Sequence, residues 1–152
     1  MIKIMFVCHG NICRSPMAEF VMKDIVKKAG LENKIHIASS ATSREEIGNP
    51  VHHGTRKKLA EYGISVAGKT AVQITKADYS NYDYIVVMDS YNLQNLKRII
   101  GSDTENKVYM LLDFADGGDI ADPWYTGNFD ITYNDVLRGC NGLFDKITKE
   151  DL

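Results

Sequence analysis

Ile2-Lys3-Ile4-Met5-Phe6-Val7-Cys8-His9-Gly10-Asn11-Ile12-Cys13-Arg14-Ser15-Pro16-Met17 opens the chain and decides how the rest is read. Ile2 to Val7 is a nearly continuous apolar run, the pattern of a strand buried on both faces of a parallel sheet. Pro16 suits the first position of a helix, where its missing N–H costs nothing, with Ser15 as the cap. Met17, Phe20, Val21, Ile25 and Ala29 then recur at helical spacing before Gly30. The opening is a strand, a short loop and a helix.

The alternation continues downstream. Lys34 to Ser39 reads as a second strand, followed by a helix that opens at Asn49-Pro50 and closes at Tyr62-Gly63. Tyr84 to Met88 reads as a third strand, and Ser90 caps a helix carrying Leu93, Leu96, Ile99 and Ile100 up to Gly101. Val108 to Leu112 is the fourth strand. Tyr133, Val136, Leu137, Cys140, Phe144 and Ile147 form an apolar stripe on a closing helix. Strands alternating with helices predict an α/β fold: one domain over residues 1–152, a doubly wound parallel sheet of four strands with helices on both faces. In such sheets ligands bind beyond the carboxyl ends of the strands, near a switch in strand order, and the loop Cys8 to Ser15 has that position.

At 152 residues a single domain is the expectation and its core needs no staples. Lysine and arginine total 18 against 20 acidic residues, a formal charge of -2, so no basic footprint for nucleic acid or an anionic membrane exists. Any anion site must be local. No apolar run approaches the ~20 residues of a membrane span, and no small-residue cleavage site follows the apolar start. The 3 cysteines are an odd number at spacings that fit neither a disulfide framework nor a zinc site, which points to a reducing, cytoplasmic setting.

A cysteine and an arginine separated by five residues, between a strand and a helix N-terminus, can wrap successive backbone N–H groups around one tetrahedral anion. Arg14 adds a planar, permanently charged fork for two equatorial oxygens. Cys8 lies beneath the phosphorus, where positive potential from the helix end and Arg14 favours its nucleophilic form. Gly10 permits conformations a side chain would resist, Asn11 tolerates a left-handed backbone and ties the loop, and Ser15 can donate to the sulfur. The spacing alone recurs by chance; the strand before it and the proline-started helix after it give it meaning. Displacement at a phosphate ester also needs an acid for the leaving oxygen. Asp122, in Ala121-Asp122-Pro123-Trp124-Tyr125, is the candidate, stiffened by Pro123 and flanked by two aromatics.

Cys8 to Pro16, Met17-Ala18-Glu19 and Asp122-Pro123-Trp124-Tyr125 together resemble the low-molecular-weight protein tyrosine phosphatases over essentially the whole chain. The resemblance implies a cofactor-free, metal-independent phosphoric monoester hydrolase acting on phosphotyrosine proteins or small aryl phosphates and releasing inorganic phosphate. It assigns Cys8 as nucleophile, Arg14 as phosphate binder and Asp122 as acid and then base. The backbone from His9 through Gly10, Asn11, Ile12 and Cys13 to Arg14 would be the cradle, with Asn11 and Ser15 in supporting positions. Trp124 and Tyr125 would form the rim, and Asp89 would buttress the loop.

Ile12 stands where relatives acting on phosphoarginine tend to carry threonine, and no cysteine pair exists beyond the loop to relay a disulfide as in arsenate reductases of this architecture. Those two activities, and a non-catalytic phosphate-binding module, are the alternatives. Cys140 reads as core packing and the adjacent His52 and His53 as solvated surface. The wall position near Glu45 lacks the aromatic of many relatives, and Gly68 stands where some have a histidine bracing the asparagine. For Cys13 two readings stand side by side: the residue alone reads as core packing, and the resemblance implies a reversible Cys8–Cys13 disulfide formed under peroxide. Equal recovery of Cys13→Ser and the unmutated chain after peroxide and thiol would count against it.

Overall fold

In the computed structural model, which describes residues 1–152, the opening apolar run forms β1 (Ile2–Cys8) and the helix after it α1 (Arg14–Lys28). There follow β2 (Ile35–Ala41), α2 (His53–Ala60), the single turn α3 (Asp78–Asn81), β3 (Tyr84–Val87), α4 (Ser90–Ile100) and β4 (Val108–Met110). A 3₁₀ turn (Leu111–Phe114), the short α5 (Pro123–Thr126) and the long α6 (Phe129–Glu150) close the chain. No helix is long and apolar enough to cross a membrane.

The four strands form one parallel sheet in the order β2-β1-β3-β4, with Ile4 paired to Ile37 on one side and to Tyr84 on the other. β1 is therefore the strand at which the winding reverses, and the loop after it opens at the switch. Successive side chains of a strand point to opposite faces, which splits the core in two. Ile4, Phe6, Tyr84 and Val86 meet Met17, Val21 and Met22 of α1 and Val136, Cys140, Leu143 and Ile147 of α6. Met5, Val7, Ile85 and Val87 meet Leu96 and Ile100 of α4 together with Ile74 and Tyr79. Helices cover both faces, as the alternation of elements predicts.

Several element boundaries differ from the sequence reading, each for a reason outside local propensity. The second helix starts at His53 and not at Asn49-Pro50, because residues 48 to 50 pair with residues 70 and 71: Gly48 N–H donates to Ala71, Ala71 N–H to Asn49, and Pro50 bridges Thr70. His52 caps it instead, its Nδ1 accepting from the Gly54 amide. Asp89, not Ser90, caps α4, its carboxylate accepting from the Asn92 amide at 2.7 Å. Arg14 rather than Pro16 opens α1, and the Ser15 hydroxyl is committed elsewhere. The fourth strand stops at Met110, whose amide donates to the Asp113 carboxylate and starts the 3₁₀ turn.

Two glycines inside α6 let it press on that turn. A Cβ at Gly142 would lie 1.9 Å from the Phe114 carbonyl oxygen, and one at Gly139 would lie 2.5 Å from Leu111 Cγ. Backbone cannot yield as a side-chain end can, so Gly142→Ala is expected to cost about 3 kcal/mol by forced separation. Thermal unfolding should then shift down by roughly 6–12 °C; an unchanged midpoint would show that the helix slides freely.

Candidate active site

Cys8 ends the central strand and is 3% exposed, at the floor of a pocket of about 120 Å³. The Asn11 amide donates to its sulfur at 3.3 Å, and Ser15 Oγ lies 3.1 Å from the same atom. The loop's carbonyls are drawn outward: Thr42 N–H donates to Cys8, Ser43 N–H and hydroxyl to His9, His52 N–H to Ile12, and the Thr55 hydroxyl to Cys13. The amides of Gly10, Ile12 and Cys13 make no hydrogen bond within the protein. Backbone donors free of internal acceptors at a helix start form an anion cradle.

Asn11 holds this curve. It adopts φ 59, a left-handed conformation that asparagine tolerates better than most side chains. Both of its side-chain donors and its oxygen are engaged: Nδ2 donates to Ser15 Oγ at 2.7 Å and to Ser39 Oγ at 2.9 Å, and Oδ1 accepts from the Val72 amide. Because Ser15 Oγ accepts from Asn11, its own proton is left for the Cys8 sulfur at 3.1 Å or the Ser40 carbonyl at 3.4 Å. Ser39 in turn donates to the buried carboxylate of Glu19 at 2.5 Å. Lys23 and Lys69 face that carboxylate at 2.5 and 3.7 Å, and Lys69 also donates to the Ser39 carbonyl. Burial lowers the Lys69 pKa, opposed by Glu19.

Asn11 and Ser15 thus lie under the loop, 1% and 0% exposed, and their side chains do not line the pocket. Their side chains brace the loop from below, the supporting positions that the resemblance implies. Ser39 and Lys69 carry no motif, and Glu19, although part of the Met17-Ala18-Glu19 segment, has no role assigned from the sequence. The available signal was an acidic residue within the apolar run Met17 to Val21.

Arg14 is 3% exposed and is fixed by groups far away in sequence. Nη1 donates to Asp89 at 2.7 Å and to the Ile120 carbonyl at 2.8 Å, while Nη2 makes a looser 3.5 Å contact with Asp122. A guanidinium has five N–H donors, so two remain for a ligand. Burial works against the Arg14 charge, yet nearby Cys8, the bond to Asp89 and the field of Asp122 outweigh it and raise its pKa. Ile120 is fully buried, and its amide donates to Met88 at the end of the β3 segment, which stitches the loop leading to Asp122 beside the sheet.

Asp122 caps α5, its Oδ1 accepting from the Trp124 amide at 3.0 Å and its Oδ2 facing Arg14. Trp124 and Tyr125 are 56% and 83% exposed at the pocket mouth. The rest of the lining is Cys8, His9, Gly10, Ile12, Cys13, Arg14, Glu45 and Glu46. His53 is exposed, as the sequence suggests, but its ring stacks 4.3 Å from that of the half-buried His52, which also packs on Trp124 and Phe129. A larger open groove, lined by residues between Pro50 and Lys69, contains none of these groups.

Burial first, then the charges of Cys8 and Asp122, push the Cys13 thiol up to about 12. Cys140 is 0% exposed and its thiol is raised by burial alone. A buried cysteine sulfur, a fixed guanidinium, inward amides and a carboxyl group at one pocket can capture a tetrahedral anion, attack its centre and pass a proton to what leaves.

Residues 3–152 match the family model described as low molecular weight phosphotyrosine protein phosphatase. The chain is 42% identical to the low molecular weight protein-tyrosine-phosphatase YfkJ of Bacillus subtilis, over 99% of this chain and 98% of that one. The crystal structure of YfkJ superposes with a TM-score of 0.97 at 41% identity, covering 100% of this chain and 98% of the other. A low molecular weight protein tyrosine phosphatase from Streptococcus pyogenes gives 0.84 at 44% identity, covering 100% and 95%. A Drosophila arginine phosphatase gives 0.89 at 26% identity, covering 99% and 100%.

Proposed function

The chain belongs to the low molecular weight phosphotyrosine protein phosphatase family, and from that premise we propose that its phosphotyrosine hydrolysis runs through Cys8, Arg14 and Asp122. The observation that carries the assignment is the buried Cys8 sulfur facing a pocket shared with Arg14 and Asp122, with the Asn11 amide and Ser15 hydroxyl directed onto it. The phosphate monoester enters with its oxygens on the amides from His9 to Arg14 and on the free donors of Arg14. Cys8 sulfur attacks phosphorus, the bond to the ester oxygen breaks, and Asp122 delivers a proton to that oxygen as the alcohol leaves. Asp122 then takes a proton from water, whose oxygen attacks phosphorus, and the phosphorus–sulfur bond breaks to give inorganic phosphate and the starting thiolate. Arg14 stabilises the charge spread over the equatorial oxygens in both steps.

Trp124 and Tyr125 suit a flat leaving group, which supports phosphotyrosine in proteins or small aryl phosphates as substrate. Ile12 at the rim adds an apolar contact where phosphoarginine-directed relatives tend to carry threonine. A disulfide relay of the arsenate-reductase kind has no partner here, because Cys140 is sealed among apolar side chains. The unpaired state of Cys8, Cys13 and Cys140 supports a reducing, cytoplasmic location; fractionation with cytoplasmic markers checks it.

The test is hydrolysis of p-nitrophenyl phosphate and of a phosphotyrosine peptide. Asp122→Ala should lower kcat by ~10²–10³ on alkyl or unsubstituted phenyl phosphate and by less than ~10 on p-nitrophenyl phosphate, whose leaving oxygen needs little help. Equal losses on both would remove Asp122 from the acid role. No turnover by the unmutated chain would leave only a phosphate-binding module.

A further inference from the structure

The mouth of the pocket is more acidic than a site for an anionic substrate requires. Arg14 is the one lysine or arginine that lines it, and that charge is already met by Asp89 beneath the loop and by Asp122. Outside the cradle the lining carries Glu45 and Glu46, both on the segment after β2. Neither is there by accident of a mobile side chain. His9 Nε2 lies 2.9 Å from the Glu45 carboxylate, holding it to the phosphate loop while 68% of the side chain stays exposed. Glu46 packs its stem beside Gly10, with Cγ 3.4 Å from where a Cβ would sit, and its carboxylate accepts from Asn49 Nδ2 at 2.5 Å.

The phosphoryl group is served by the amides and Arg14, and the ring by Trp124 and Tyr125. Neither of those needs a carboxylate from the segment after β2. What remains in reach of Glu45 and Glu46 is the polypeptide on either side of the phosphotyrosine. We infer that Glu45 and Glu46 select phosphotyrosines flanked by lysine or arginine, binding the flanking cations at the mouth of the pocket. The inference rests on the phosphatase reading above and names the protein substrates that reading takes.

Two unit charges about 4 Å apart in water attract by roughly a factor of five in binding, and exposed pairs realise a part of that. Exchanging a flanking cation for an anion turns attraction into repulsion, so two rim carboxylates should separate basic from acidic flanks by about tenfold, ~1.4 kcal/mol. Rim charges act chiefly on encounter, so the difference belongs in KM and fades with salt.

The experiment compares kcat/KM on phosphotyrosine peptides of equal length whose neighbours are lysine and arginine or aspartate and glutamate. At ~0.01 M ionic strength the basic peptide should be favoured about tenfold, mostly through KM, and at ~1 M about twofold or less. In the doubly substituted Glu45→Gln, Glu46→Gln protein the ratio should fall to about twofold, and in Glu45→Gln alone to an intermediate value. The ratio is measured within each protein, so any overall loss of activity cancels, and the exposed Glu45→Gln change carries the test if the double variant folds poorly. Equal or reversed preference in the unmutated protein, or a ratio untouched by the substitutions, overturns the inference while turnover of p-nitrophenyl phosphate keeps the phosphatase reading. Failure on p-nitrophenyl phosphate as well overturns both.

Discussion

Cys8→Ser is expected to lower kcat on p-nitrophenyl phosphate by ~10⁴ or more while leaving the pocket able to bind inorganic phosphate. Binding and chemistry rest on different groups of the pocket. In the proposed mechanism phosphate is held by the amides from His9 to Arg14 and by Arg14, none of which the substitution removes. Serine is close in shape to cysteine, and its hydroxyl can still meet the Asn11 amide and Ser15, so the buried floor keeps its hydrogen bonds. What disappears is the sulfur nucleophile, because an alcohol ionises far less readily than a thiol and attacks phosphorus far more slowly. Single-turnover assays should find no phosphorylated protein, and calorimetry should still find phosphate binding. Turnover within tenfold of the unmutated protein would show that Cys8 does not attack phosphorus.

Arg14→Lys carries the second large effect, an expected loss of ~10³ or more in kcat/KM although the formal charge is unchanged. Arg14 meets three acceptors at once, the Asp89 carboxylate, the Ile120 carbonyl and Asp122, and still has donors for the ligand. An ammonium has three donors on a single atom and cannot span that spread, so it either satisfies Asp89 below or the phosphate above. Both the ligand and the loop carrying Asp122 lose their anchor, and the loss should appear in kcat as well as KM. A melting temperature within a few degrees of the unmutated protein would assign the loss to the site and not to collapse of the fold. Retained activity would mean that the amides alone carry the transition-state charge.

Legibility in the sequence tracked the range of the interactions. β1, α1 and the loop between them lie within one stretch, and their signals are local: an apolar run, a proline at a helix start and a left-handed position occupied by asparagine. The Asp122 loop was legible for the same reason, since Asp, Pro and two aromatics are neighbours. The second helix was misplaced by its Pro50, because residues 48 to 50 pair with a segment twenty positions on, and no local pattern announces such a bridge. The connection from Asn11 through Ser39 to Glu19 was not legible because it joins residues on three separate elements; Ser39 merely ended a strand. The supporting role of Asn11 and Ser15 was legible from the resemblance, whereas their partners Ser39 and Val72 came only from the structure.

By itself the sequence determined the α/β architecture, the anion loop between Cys8 and Arg14, and the identity of the acid candidate. These follow from periodicity and from residue types set at short, fixed spacing along the chain. Tertiary structure alone decided which groups hold Arg14, that Asp122 comes to the same pocket, and that Glu45 and Glu46 turn its mouth acidic. Those contacts join residues 75 and 108 positions apart in the case of Arg14, and they exist because the parallel winding brings the carboxyl ends of β1 and β3 to one edge of the sheet. Burial then fixed their meaning, since a charge removed from water must find its partner wherever the fold has placed one.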